Sequence, residues 1–77
     1  MKELIEFIAR SLVENPEAVT VTQDERGDGS LLLQLAAASE DMGRIIGKQG
    51  RTAKAMRTLL NAKATREQKR ASLQILE

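Results

Sequence analysis

The 77-residue chain has no cysteine, no histidine, no tryptophan and no tyrosine, and only one proline and one phenylalanine, Phe7. Without thiols there is neither a disulfide framework nor a thiolate metal site, and a reducing interior is the natural setting. Without histidine or cysteine, general base and nucleophilic chemistry would fall to lysines and carboxylates, and no convergent group of these is evident, so no catalytic residue is expected. One aromatic ring excludes surfaces that bind by stacking bases on aromatic platforms; Phe7 itself is expected at the edge of the core. No apolar run approaches a membrane span, and Met1-Lys2-Glu3-Leu4-Ile5-Glu6 carries acids where a signal peptide would be basic, which predicts a cytoplasmic protein with no membrane partner.

What is there is a charge division. Residues 1–41 hold three Lys/Arg against nine Asp/Glu, whereas residues 42–70 hold nine against one, which hides behind a formal net charge of +1. The basic residues Arg44, Lys48, Arg51, Lys54, Arg57, Lys63, Arg66, Lys69 and Arg70 form the footprint expected for a polyanion.

Periodicity gives the elements. Leu4, Ile5, Ile8, Ala9, Leu12 and Val13 recur at helical spacing opposite Glu3, Glu6, Arg10 and Glu14, and Asn15-Pro16 stops that helix. Val19-Thr20-Val21-Thr22 and Leu31-Leu32-Leu33-Gln34-Leu35 flank the turn Arg26-Gly27-Asp28-Gly29, which predicts a hairpin with Leu31, Leu33, Leu35 and Ala37 on the covered face and Leu32 and Gln34 on the other. Ser39, followed by Glu40 and Asp41, reads as the N-cap of a short helix ending at Gly47. A second helix is predicted from Arg51 to Ala64, with Ala53, Ala55, Met56, Leu59, Leu60 and Ala62 on one side and Arg51, Lys54, Arg57, Thr58 and Asn61 on the other. Ala71-Ser72-Leu73-Gln74-Ile75 closes as a strand. The expected order is α-β-β-α-α-β in one domain over residues 1–77, an α+β fold.

Between the two later helices lies Ile45-Ile46-Gly47-Lys48-Gln49-Gly50-Arg51. Two glycines three apart let backbone approach a foreign group closely, and the cations beside them favour an anion there.

This block in this element order resembles the KH domain of the type II arrangement, whose signature is an aliphatic pair followed by GxxG. Over Asp41-Met42-Gly43-Arg44-Ile45-Ile46-Gly47-Lys48-Gln49-Gly50-Arg51, and across the whole chain, the sequence is similar to the small bacterial single-KH proteins of the KhpA family. The resemblance implies a three-stranded mixed sheet with helices packed on one face and a non-catalytic binder of single-stranded RNA. Gly47, Lys48, Gln49 and Gly50 would clamp the backbone of about four nucleotides, and Arg44, Arg51 and Lys54 would supply charge. Ile45 and Ile46 would floor an aliphatic groove for bases. Amides of the turn and of the next helix's first turn would face outward unpaired and accept phosphate. With about three or four phosphates neutralised, the log–log salt slope would be roughly −2 to −3.

The resemblance further implies pairing with a second copy or with a larger, Jag-like KH-containing protein, for which Leu32 and the helix side around Met56 and Leu59 are candidate surfaces. No cofactor, metal or small-molecule substrate is expected. Two departures stand out: Thr52 and Ala53 replace the aliphatic residues common after the loop, which predicts looser packing beneath it, and Ala36-Ala37-Ala38 is small where bulkier residues are usual. Other matches fail on context. Arg26-Gly27-Asp28 reads as a turn, and Gly43 to Lys48 lacks the spacing and the Ser/Thr of a phosphate-binding P-loop. The acids Asp24, Glu25, Asp28, Glu40 and Asp41 sit at a turn and a helix start, the usual solvated places.

Overall fold

A computed structural model describes residues 1–76. The chain runs α1 (Lys2–Leu12), β1 (Thr20–Glu25), β2 (Leu31–Ala36), α2 (Met42–Ile46), α3 (Arg51–Arg66) and β3 (Ala71–Ile75), with 3-10 turns at Pro16–Ala18, Ser39–Asp41 and Lys48–Gly50. The sheet order is β1-β2-β3, antiparallel between β1 and β2 and parallel between β2 and β3. This is the α+β architecture, α-β-β-α-α-β around a three-stranded mixed sheet, that the sequence predicts.

Alternation along the strands sets the two faces of the sheet. Val21, Leu31, Leu33, Leu35 and Leu73 are buried on one face, where they meet Ile5 and Ala9 of α1, Ile45 of α2, and Met56 and Leu60 of α3. Among the described residues no helix packs on the opposite face, which is mostly polar: Thr22 Oγ1 donates to Gln34 Oε1 at 3.5 Å, and Gln34 Nε2 to Gln74 Oε1 at 3.1 Å. Leu32 lies half-buried on this face, paired with Asp24 and Ser72.

Several ends are fixed by groups distant in sequence. The first helix has no side-chain cap of its own, but Gln23 Oε1 on β1 accepts the Lys2 amide at 3.1 Å. Ser39 does not cap α2 as expected; it opens a 3-10 turn, and its hydroxyl turns to Glu40. The third helix runs two residues past Ala64 because Lys69 N–H donates to Ala64 O and Gln68 N–H to Thr65 O, the paired bonds of a Schellman ending, with Gln68 at φ 58° where glycine is usual. Only one stripe of α3 is covered, by Ala53, Met56, Leu60 and Ala64; Ala55, Leu59 and Ala62, expected on the same apolar side, are exposed. Phe7, expected at the core's edge, is 73% exposed.

Candidate nucleic-acid interface

Five residues are too few for α2 to be stable as an isolated helix, so its place depends on what holds it. Ile45 anchors it by complete burial in the core. Asp41 anchors its start: the carboxylate is 1% exposed, with Oδ1 accepting the Glu14 amide and Oδ2 the Asn15 amide, each at 3.1 Å. Those amides lie just beyond the end of α1, so a buried anion ties the exit of one helix to the entry of another, each oxygen with a donor. Sequence reasoning placed Asp41 among solvated acids; its partners are about 27 residues away, and nothing local announces them. Glu14 also pairs with Arg44 across this junction at 2.8 Å.

Gly47 then ends α2 at φ 78°, ψ 168°, a backbone state that side chains resist. A Cβ here would collide with Thr52, whose own Cβ would be 2.6 Å away and whose backbone nitrogen 2.8 Å. Thr52 therefore packs hard against the glycine, and the loose seat expected at this position is absent. Gln49, at φ 58°, and Gly50, at φ 74°, complete a turn in which three of four residues have positive φ. A left-handed glutamine stores strain of about 1 kcal/mol, which the turn imposes.

The loop's amides divide into two groups. Gly47 N–H donates to Gly43 O at 2.8 Å, Gly50 N–H to Gly47 O at 3.0 Å, and Arg51 N–H to Lys48 O. The expectation that the next helix starts with open amides thus fails at Gly50 and Arg51. Lys48 and Gln49 stand at the start of the 3-10 turn, where the first amides have no acceptor within the turn; among the described residues no loop or cap carbonyl takes them. Both residues are exposed.

The charge around these two amides is not offset. Among the described residues, the ion pairs are Met1 amine–Glu3, Arg10–Glu6, Arg44–Glu14 and Lys63–Glu67, so Lys48, Arg51 and Lys54 face no carboxylate partner. Arg51 instead donates to Gln49 Oε1 at 3.1 Å, which steadies the turn. Arg44 is half committed to Glu14. Of the two isoleucines expected to floor a base groove, Ile46 is half-buried and Ile45 is wholly inside the core, out of reach of any ligand.

A shallow groove opens instead between α3 and the free edge of β3, with a volume of about 160 Å³, lined by Arg57, Leu60, Asn61, Ala71, Ser72 and Leu73. Arg57 crosses it, its Nε donating to Leu73 O at 3.3 Å. Sequence spacing alone places Arg57 only in a basic stripe. The arrangement as a whole can hold an anion at Lys48 and Gln49 and a flat, partly apolar group beside α3. Among the described residues, no group of acids gathers to hold a metal ion and no helix is long and apolar enough to cross a membrane.

A family model described as KhpA/KhpB, KH domain, matches residues 2–75. Among curated proteins, an RNA-binding protein KhpA of Treponema pallidum is 53% identical over 76 residues, covering 99% of this chain and 94% of that protein. Proteins of the same description from Clostridium perfringens and Listeria monocytogenes are 50% and 49% identical, covering 99% and 100% of this chain and 100% of each relative.

Proposed function

The chain belongs to the KhpA/KhpB family of KH domains, and from that premise we propose that it is a single KH domain, residues 1–77, that grips single-stranded RNA by its sugar–phosphate backbone at Gly47-Lys48-Gln49-Gly50. The family is a non-catalytic one. One observation carries the reading: among the described residues, two exposed amides, Lys48 and Gln49, lack acceptors and stand beside Lys48, Arg51 and Lys54, which have no counter-charge. A phosphate oxygen supplies the missing acceptors and the missing charge together. Lys48, Arg51 and Lys54 surround the anion, while Arg44, already paired, contributes at longer range. Bases leaving the clamped backbone turn into the groove between α3 and β3. Binding of this kind suits a post-transcriptional regulator or chaperone-like adaptor in the cytoplasm.

The test is the pair Lys48→Asp with Gln49→Asp, which leaves both glycines in place. The change removes the Lys48 cation and sets two carboxylates beside the open amides, so at least one charge-assisted contact of about 1.5–3 kcal/mol is lost and affinity for a short RNA falls by more than about tenfold while the amide spectrum stays folded. A folded double variant that binds RNA as the parent does refutes the clamp.

A second reading, that copies of the chain pair with one another or with a larger Jag-like KH-containing protein, is favoured by Leu59. It is 50% exposed and, with Ala55 and Thr58, edges an open hollow on the outer face of α3. Met56, expected on the same surface, is 1% exposed and unavailable. Sedimentation of Leu59→Glu checks this, a mass equal to the parent's at every concentration counting against the α3 face.

A further inference from the structure

Of the cations gathered at the Gly47–Gly50 loop, one is already paired. Arg44 Nη2 meets Glu14 Oε1 at 2.8 Å, while Lys48, Arg51 and Lys54 have no carboxylate partner among the described residues. We infer that Glu14 restrains RNA binding: its carboxylate holds Arg44 back from the phosphate backbone and must be displaced before that side chain becomes a further phosphate contact. The inference rests on the RNA-binding reading and concerns how tightly the same site binds.

Three observations support it. First, Glu14 is brought to Arg44 from another part of the chain. The two are 30 residues apart, and Glu14 stands just past the end of α1. Its main chain is fixed there, because its amide donates to the buried Asp41 Oδ1 at 3.1 Å. A carboxylate on an anchored backbone loses less freedom on pairing than one on a loose segment. Second, the pair is not the local one. Glu40 lies four residues before Arg44, the spacing at which helical side chains meet, yet its carboxylate takes the Ser39 hydroxyl and Arg44 reaches Glu14 instead. Third, the pair is releasable. The Arg44 and Glu14 side chains are 49% and 73% exposed, and an ion pair in water is weak and screened by salt. A phosphate held at the loop competes for Arg44 at small cost.

Position agrees with the role. Arg44 stands three residues before Gly47, about 4.5 Å of helical rise, so it belongs to the loop end of α2. A guanidinium that faces a carboxylate has its charge partly offset and sheds no counterion when a phosphate arrives; freed from Glu14, it adds one neutralised phosphate to the count.

The experiment measures binding of a short uridine RNA across roughly 50 to 200 mM salt to the parent, Glu14→Gln, Arg44→Gln, the double Glu14→Gln/Arg44→Gln protein and the Lys48→Asp/Gln49→Asp variant. Glu14→Gln keeps the size of the side chain and the amide that Asp41 holds. It should tighten binding roughly two- to fivefold at the lowest salt, the scale of an exposed ion pair, and steepen the log–log salt slope by about 0.7. In the Arg44→Gln background the same change should alter affinity by less than about 1.5-fold, which assigns the gain to the pair. Unchanged or weaker binding by Glu14→Gln overturns the inference, and weaker binding makes Glu14 a positioning residue for Arg44. A gain of equal size in the absence of Arg44 overturns it too, since Glu14 then acts by plain repulsion of the strand. If the parent binds no RNA, or Lys48→Asp/Gln49→Asp binds as the parent does, the clamp reading falls and takes this inference with it. A clamp that holds while Glu14→Gln equals the parent removes the inference alone.

Discussion

Two glycine-bearing turns of similar length set opposite charge beside their open amides. In the hairpin turn, Arg26 N–H donates to Ser30 O at 2.7 Å and Gly29 N–H to Arg26 O at 2.9 Å. Asp28 Oδ1 takes both the amide and the hydroxyl of Ser30, at 2.9 and 2.7 Å. The two middle amides, Gly27 and Asp28, take no acceptor among the described residues, as at Lys48 and Gln49, but an acid stands among them. The turn at Gly47–Gly50 closes only its outer amides and leaves those of Lys48 and Gln49 open, with cations where the hairpin has an acid. Open amides beside a carboxylate are left to water, whereas open amides beside cations favour an anion, and the surrounding structure has to hold such a turn in shape.

The first way to break this comparison is to add one methyl group to each turn. Gly29 and Gly47 both have positive φ, 86° and 78°, but a Cβ at Gly29 meets nothing within 4 Å, whereas one at Gly47 meets Thr52. Gly47→Ala should cost about 3 kcal/mol or more, from backbone strain and displacement of Thr52 together. That is most of the roughly 3–5 kcal/mol available to a core of this size. Gly29→Ala should cost about 1 kcal/mol. Urea denaturation of both reports the difference; equal midpoints would mean that the two turns are constrained alike.

The second acts on what holds the turn at Gly47–Gly50. Asp41→Asn presents an amide nitrogen to one of two backbone donors in a buried site, an expected loss of about 2 kcal/mol, read in the same denaturation experiment. Hydrogen exchange at Gly47 and Gly50, whose amides are bonded, should quicken as α2 loosens. Unchanged stability would show that Ile45 alone positions the helix.

The smallest effect belongs to the hairpin turn. The Asp28 carboxyl is held below its ordinary value by the Ser30 hydroxyl and then by the Ser30 amide. A carboxyl with a lowered folded-state pKa contributes stability above its unfolded-state pKa and loses it as pH falls through the folded one. Melting temperatures of the parent and Asp28→Asn should therefore differ slightly near neutrality and converge below about pH 4. A gap that widens on acidification contradicts this account of the turn, and RNA binding should be the same in both proteins.

Local patterns were enough to reveal most of the fold and the loop. Strand alternation and the helical spacing of Ile5, Ala9, Met56 and Leu60 mark the covered faces, and Gly47 and Gly50 mark the turn, because each signal lies within a few residues. What stayed hidden depends on distant partners. Asp41 looks like any helix-start acid until the Glu14 and Asn15 amides arrive, and Gln23 gives no sign that it caps α1. Ile45 and Ile46 are alike in sequence, yet only the packing of α2 decides which of them is buried. Gln68 carries no glycine-like signal, so the last turn of α3 was unreadable. Arg57 gained its meaning only when β3 came alongside α3.

The most direct test is an amide chemical-shift titration of the full chain with a short single-stranded RNA. The clamp predicts that the largest shifts fall at Lys48 and Gln49, with smaller ones at Arg51 and Lys54 and none at the Asp28 turn. Shifts concentrated on the open sheet face around Leu32 and Gln34, with Lys48 and Gln49 unmoved, would contradict it.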